Sequence, residues 1–155
     1  MNNILALLNG GLGKEVIDSI SKESGASKKD TQSVVTAALP ALLGALQNNA
    51  SSGNAGGILQ AINTKHDGSI LDNLAGALGA DTAKDGAGIL KHVLGGNQNS
   101  IQQALSNKTG VSGATVSKIL SLLAPIVMGY LGRETKKSSV NNEKGLTDLL
   151  GGLIG

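Results

Sequence analysis

Aromatic residues and cysteine are nearly missing from this sequence. It contains no Phe, Trp or Cys, and Tyr130 is its single aromatic residue. Without cysteine, disulfide and thiolate chemistry are excluded, although the compartment is left open. Aromatic side chains normally supply large buried areas, so the core must be built from Leu, Ile, Val and Ala. The 23 glycines fit helices that approach closely over small residues.

Charge is also scarce. Charged residues make up 15% of the chain, against roughly 25% in typical soluble domains. Low charge leaves little repulsion between molecules, which favours self-association. The net charge is +2, and the pairs Lys28-Lys29 and Lys136-Lys137 form no basic stripe. Because aromatic stacking residues are missing as well, we expect no nucleic-acid partner.

Long hydrophobic runs are missing too. The longest apolar stretch, 119–131, is shorter than the roughly 20 residues of a membrane span, and Pro125 interrupts it. Residues 1–8 carry no basic segment ahead of their short apolar run, so no secretory signal is predicted. We expect a cytoplasmic location.

An internal repeat organises the rest of the chain. At a spacing of 85 residues, the segment 21–46 aligns without a gap with the segment 106–131. The identical pairs include Gly25 with Gly110, Ser27 with Ser112, Pro40 with Pro125, and Gly44 with Gly129. Self-similarity of this kind predicts a duplicated structural unit with pseudo-twofold symmetry.

Each copy is predicted to be a helix, a short turn and a longer helix. Gly25 and Gly110 stand where a left-handed residue commonly ends a helix. Ser27 and Ser112 then precede the longer helices, where a serine caps the amide groups of the first turn. Asp30 adds an acidic residue to a start that resembles a capping box.

The two longer helices differ in apolar pattern. The first has one apolar stripe, formed by Val35, Leu39, Leu42 and Leu46, which predicts a single buried face. The second, 113–132, is apolar nearly all round. A helix without a polar face is typically buried on every side, so we predict that it is the central element.

A proline lies inside each longer helix. Pro40 and Pro125 each remove one backbone hydrogen bond and are expected to bend the helix. The carbonyls set free belong to Thr36 and Ser121, and a hydroxyl at these positions could bond locally and accommodate the bend. A repeated proline is either a hinge or a fixed kink that shapes the core, and we favour the kink.

The predicted fold is all-α: one compact multi-helix domain, 1–155, built on two Pro-kinked central helices. Its related halves span about 14–63 and 98–154. A glycine-rich helical middle, about 64–97, joins them. Short helices are predicted at 57–63, 69–78 and 83–94.

The sequence offers no residues to assign as catalytic, cofactor-binding or metal-binding. The stretch 9–15 resembles a phosphate-binding loop, but Leu8 replaces its first glycine and Glu15 its hydroxyl residue. It is interpreted as a turn between two helices. Serines are plentiful, but no strained strand-to-helix elbow presents one as a nucleophile.

A mixed metal site is the remaining chemical hypothesis. His66, His92, Asp67 and Asp85 are the candidate ligands, yet their spacing lacks the i, i+4 placement that puts two ligands on one helical face. An apolar cavity between helices is a separate alternative, although a filled core is the expectation. We therefore predict that the protein is not an enzyme.

Several runs resemble the YidB-like bacterial family of unknown function. They are 85–95, 105–111 and 123–132, together with 36–44 in the first copy. The resemblance covers most of the chain and implies an all-helical fold and a bacterial origin. It implies no catalytic residues.

The leading functional hypothesis is a structural or protein-interaction protein that associates with itself or with a protein partner. Gly44 and Gly129 are expected to permit close helix approach, and the Leu-rich ends, 4–8 and 149–154, to be available to a neighbour. The alternative is a peripheral membrane or lipid-binding protein whose amphipathic terminal helices lie on a bilayer. Little basic charge at the ends counts against it.

Overall fold

The computed structural model describes residues 11–49, 80–137, 145 and 148. Within these ranges the chain forms α-helices joined by short turns, and no strand is present. The elements are α1 (Gly11–Ser24), α2 (Lys28–Asn49), α3 (Ala80–Leu94), a 3-10 turn (Gly95–Asn97), α4 (Gln98–Thr109) and α5 (Gly113–Lys137).

A three-residue connection joins α1 to α2. Gly25 ends α1 with a φ of +77°, a conformation that glycine adopts without steric cost. Its amide donates to the carbonyl of Ser21 at 3.0 Å. Ser27 then caps α2, because its Oγ accepts a hydrogen bond from the amide of Asp30 at 3.1 Å. Both helix ends are therefore specified within this short stretch.

The connection from α4 to α5 has the same hydrogen bonds 85 residues later. Gly110 has a φ of +75°, and its amide donates to the carbonyl of Ser106 at 2.9 Å. Ser112 Oγ accepts from the amide of Thr115 at 3.3 Å. Three further hydrogen bonds recur in both connections. The Oγ of Ser21 donates to the Ala26 carbonyl, as that of Ser106 donates to the Val111 carbonyl. The Ala26 amide donates to Ser24 Oγ, as the Val111 amide donates to Thr109 Oγ1, and the amides of Thr31 and Val116 donate to the carbonyls of Ser27 and Ser112.

The two helix pairs bury corresponding residues in one aliphatic core. Each of the short helices, α1 and α4, contacts both long helices. Burial of one Leu or Ile side chain contributes about 1.5–3 kcal/mol, so this shared face is the main source of stability. The pairs buried in both copies are Ile20/Leu105, Thr31/Val116, Val34/Ile119, Val35/Leu120, Ala38/Leu123, Leu39/Ala124, Leu42/Val127, Leu43/Met128 and Leu46/Leu131.

The central helix is α5. It contacts α1, α2, α3 and α4, and every residue from 122 to 132 is buried. Its most extensive contact is with α3, which buries Leu90 and Leu94. On α2, in contrast, Thr36 and Pro40 are exposed.

The all-helical prediction is confirmed for the described residues, as are the central position of α5 and the left-handed residues Gly25 and Gly110. Two helices are longer than predicted, since α3 begins at Ala80 and α5 continues to Lys137. The duplication and the proline kinks stay predictions at this point. The predicted helices 57–63 and 69–78 and the Leu-rich ends lie outside the described residues.

The interpretation of 9–15 as a turn is wrong for its second part. From Gly11 onward these residues form the first turn of α1. Gly13 is buried together with Val16, so the buried face of α1 extends to Gly13. Tertiary packing of such a face stabilises a helix despite low intrinsic propensity.

Candidate interaction surface

Each long helix has one backbone carbonyl that lacks its usual helical partner. Pro40 lies inside α2 and Pro125 lies inside α5. Proline has no amide hydrogen, so it cannot donate to the carbonyl four residues earlier. Those carbonyls belong to Thr36 and Ser121. Each must find another contact or face water.

On α5 the free carbonyl is covered by α3. Gly86 of α3 is buried and lies directly on it: a β-carbon at residue 86 would overlap the Ser121 oxygen and lie 3.0 Å from Pro125 Cδ. Only glycine therefore fits at this crossing. Its Cα comes close to the oxygen, in the manner of the weak C–H···O bonds found between closely packed helices.

Beside this crossing lies a groove, here called the α5 groove. Its volume is about 450 Å³. The helix α3 contributes two of its residues, and the end of α1 contributes one. Its lining is Glu23, Ala83, Lys84, Ser117, Lys118, Ser121 and Leu122.

A second groove, here called the α2 groove, lies on the first copy. Its volume is about 510 Å³, and the end of α4 contributes to it as the end of α1 contributes to the α5 groove. Its lining is Lys29, Gln32, Ser33, Thr36, Ala37, Lys108 and Thr109. At the 85-residue spacing, five of these residues, Gln32, Ser33, Thr36, Ala37 and Lys108, align with Ser117, Lys118, Ser121, Leu122 and Glu23 of the α5 groove.

The two grooves differ in the helices that line them and in charge. No residue of α3 lines the α2 groove, and Pro40 beside it is exposed whereas Pro125 is buried. The described lining of the α2 groove includes the side chains of Lys29 and Lys108 and no carboxylate. In the α5 groove the position of Lys108 is taken by Glu23.

The close helix approach predicted at Gly44 and Gly129 stays a prediction. Gly129 is buried, and Gly44 is half-buried. A β-carbon at Gly44 would meet no atom within 4 Å among the described residues. Thr36 is exposed and Ser121 half-buried, and the structure shows no side-chain hydrogen bond for either hydroxyl within the described ranges.

The candidate metal ligands are not brought together in the part of the chain that the structure describes. His92 and Asp85 are exposed on α3, and His66 and Asp67 lie outside the described residues. No group of three or more metal-ligating side chains is found within 11–49 and 80–137.

A small, half-open apolar pocket lies between α2, α3 and α5. Its volume of about 10 Å³ is close to that of a single water-sized sphere, so no organic ligand fits there. Its lining is Leu42, Leu46, Ile89, Leu90, Val93, Ala124, Val127 and Met128. The core is filled at this place, as expected.

Among the described residues one helix segment, Gly113–Arg133 of α5, is long and apolar enough to cross a membrane by length and composition. Within the folded chain 72% of its apolar window is buried. A central core helix has the same character, so this segment is weak support for membrane insertion.

Two residues of this region were not singled out by the sequence. Gly86 is one glycine among many, and only the crossing of α3 over α5 distinguishes it. Thr31 is fully buried, and its Oγ1 has no hydrogen-bond partner among the described residues. The repeat gives a signal for Thr31, because the aligned residue is the apolar Val116.

Comparison with known proteins identifies one family. The model of DUF937, a family of bacterial proteins of unknown function, matches residues 6–134. This agrees with the resemblance to YidB-like proteins. No curated protein matches the chain, and no solved structure matches it.

Proposed function

Since the chain belongs to this bacterial family of unknown function, we propose from its architecture that it is a non-enzymatic interaction protein that binds protein chains, including copies of itself. One observation carries the proposal. The outer side of α2 repeats the layout of the side of α5 that α3 covers, but no described helix covers it. Structural repeats bury their faces against neighbours, so a second chain is a suitable cover.

We further propose that the chain is a duplicated helix pair with pseudo-twofold symmetry and that its inner prolines fix a kink in each long helix. The recurrence of the same five hydrogen bonds in both connections supports the duplication. The free carbonyls of Thr36 and Ser121 are the expected cause of the kinks. An experimental structure in which residues 13–49 fail to superpose on residues 98–134 would contradict the duplication.

Self-association is tested by light scattering on the eluting chain at rising protein concentration. We expect the mean mass to increase towards that of a dimer, because the population of an oligomer depends on protomer concentration. A mass that stays at the monomer value throughout would contradict this part of the proposal.

A matched pair of variants locates the contact. Ala37→Glu introduces a carboxylate beside the α2 groove, where burial against an apolar neighbour would be costly. Ala87→Glu introduces the same charge at an exposed residue of α3 that does not line the α2 groove. We expect the first to reduce the mean mass at a given concentration and the second to leave it unchanged.

The membrane alternative leads to a different outcome in a simple assay. Its contacts would be the ends 4–8 and 149–154, which lie outside the described residues. We propose instead that the protein is cytoplasmic and has no nucleic-acid partner, and we expect the chain to stay in the supernatant when anionic liposomes are sedimented. Co-sedimentation that salt weakens would favour the membrane alternative.

A further inference from the structure

The α5 groove shows which kind of structure fits this surface. One of its walls is a helix, α3, which crosses α5 at Gly86 so that its backbone reaches the Ser121 carbonyl. Three residues of α3 come close to the groove: Ala83 and Lys84 line it, and Gly86 lies at the crossing. The helix that covers α5 here therefore has a glycine at the crossing and a lysine two residues before it.

The α2 groove offers the same backbone feature without a described helix over it. Pro40 leaves the carbonyl of Thr36 without its helical donor, and Thr36 and Pro40 are both exposed. Half-buried alanines at 37 and 41 flank the site. Their small side chains allow another helix backbone to come as close to Thr36 as Gly86 comes to Ser121.

The two grooves carry opposite charges at one aligned position, which is Lys108 in the α2 groove and Glu23 in the α5 groove. In the α5 groove Glu23 of α1 and Lys118 of α5 line the same space as Lys84 of α3, and the aligned residue of Lys118 in the α2 groove is the neutral Ser33. The residue aligned with Glu23 is Lys108, and Lys29 adds a second ammonium group. An occupant with lysine at the position of Lys84 would be repelled, whereas a carboxylate there would be attracted.

We infer that the α2 groove is a docking site for a helix of a partner protein. The helix has glycine where it crosses the Thr36 carbonyl and an acidic residue two positions earlier. This inference rests on the duplication within the proposed function, because α3 on α5 serves as its template. The partner is therefore an acidic helix that has a glycine where it crosses α2.

The test uses a synthetic peptide of residues 80–94 that carries Lys84→Glu, titrated into the ¹⁵N-labelled full chain. We expect saturable shifts of the amide signals of Lys29, Ser33, Thr36, Ala37 and Lys108. The peptide with the natural Lys84 should bind roughly two- to fivefold more weakly, the ratio that one exposed ion pair provides.

A third peptide separates the glycine crossing from general helix binding. It carries Gly86→Ala in addition to Lys84→Glu. Alanine raises helix propensity over glycine, so a surface that binds any amphipathic helix would bind this peptide more tightly. We expect weaker binding, because the added β-carbon meets the Thr36 carbonyl.

A variant of the protein completes the design. Lys108→Glu changes an exposed residue at the end of α4 and makes the α2 groove resemble its counterpart. The preference should then reverse, so that the peptide with the natural Lys84 binds more tightly than the peptide that carries Lys84→Glu. Equal affinities of the two peptides for both proteins would overturn the charge argument.

Three outcomes overturn the inference: no shifts in the α2 groove, shifts confined to the α5 groove, or tighter binding of the peptide with alanine. A chain that stays monomeric but binds the acidic peptide contradicts self-association alone. A chain that forms dimers and ignores the peptide contradicts the docking site alone.

Discussion

The helices α2 and α5 share an inner face and differ in the outer one. Towards the core they bury aligned residues in the same pattern. On the outer side α5 is covered by α3, whereas α2 has exposed residues. The side chains change size accordingly: Ala37, Ala41 and Ala45 on α2 align with Leu122, Ile126 and Tyr130 on α5.

This difference places two helices with the same inner face in two environments. The three large residues on α5 are all buried, and each gains about 1.5–3 kcal/mol from burial of its apolar surface. The alanines on α2 have little apolar area to expose, so they cost little in the uncovered state. The difference between the copies therefore lies in what covers them, and substitutions at aligned positions should have unequal effects.

The largest difference in stability effect between aligned positions is expected for Leu122→Ala and Ala37→Leu. Leu122→Ala removes a buried side chain beside the crossing of α3 and should lower the free energy of unfolding by about 3 kcal/mol. Ala37→Leu enlarges a residue beside the open groove and should change it by less than about 0.5 kcal/mol. Urea denaturation measures both, and equal losses would mean that the two outer faces are covered alike.

A second pair tests the crossing of α3 over α5. Gly86→Ala places a β-carbon against the Ser121 carbonyl and should lower the free energy of unfolding by about 2 kcal/mol. Gly88→Ala changes a glycine of the same helix that is exposed and has no atom within 4 Å of the new β-carbon. It should raise stability by roughly 0.5–1 kcal/mol. Thermal denaturation should therefore show shifts of opposite sign.

Aligned substitutions in the two connections should have equal effects on stability, in contrast to those on the outer faces. Gly25 and Gly110 have φ values of +77° and +75°, where an alanine costs about 1–2 kcal/mol. We expect Gly25→Ala and Gly110→Ala to lower stability by the same amount within about 0.5 kcal/mol. A large difference, measured by chemical denaturation, would weaken the duplication.

The smallest effect on stability is expected at Thr31, the one buried polar side chain in the described part of the core. Thr31→Val removes a hydroxyl without a partner among the described residues and should raise stability by about 1 kcal/mol. The reverse change at the aligned position, Val116→Thr, should lower it by a similar amount, since it buries a new hydroxyl. If Thr31→Val destabilises the chain, its hydroxyl has a partner that the described residues do not include.

Local sequence signals predicted the turns well and the crossing of α3 not at all. Glycine at 25 and serine at 27 act on neighbours within a few residues, so their roles follow from the sequence. Gly86 acts on a carbonyl 35 residues away in the chain, and that pairing exists only after folding. The outer face of α2, over which no described helix lies, falls between these cases, because the single apolar stripe of α2 and the all-round apolar pattern of α5 indicated a difference but not what covers either face.

The covered and uncovered outer faces can be compared through the reactivity of single cysteines. The chain has no cysteine of its own, so Ala37→Cys and Leu122→Cys each introduce one thiol at aligned positions. We expect the thiol at 37, a half-buried position that lines the α2 groove, to react with a maleimide in the folded monomeric chain. The thiol at 122 should react orders of magnitude more slowly, because it must wait for an opening of the fold. Similar rates at the two positions would contradict a covered face on α5 and an uncovered copy of it on α2.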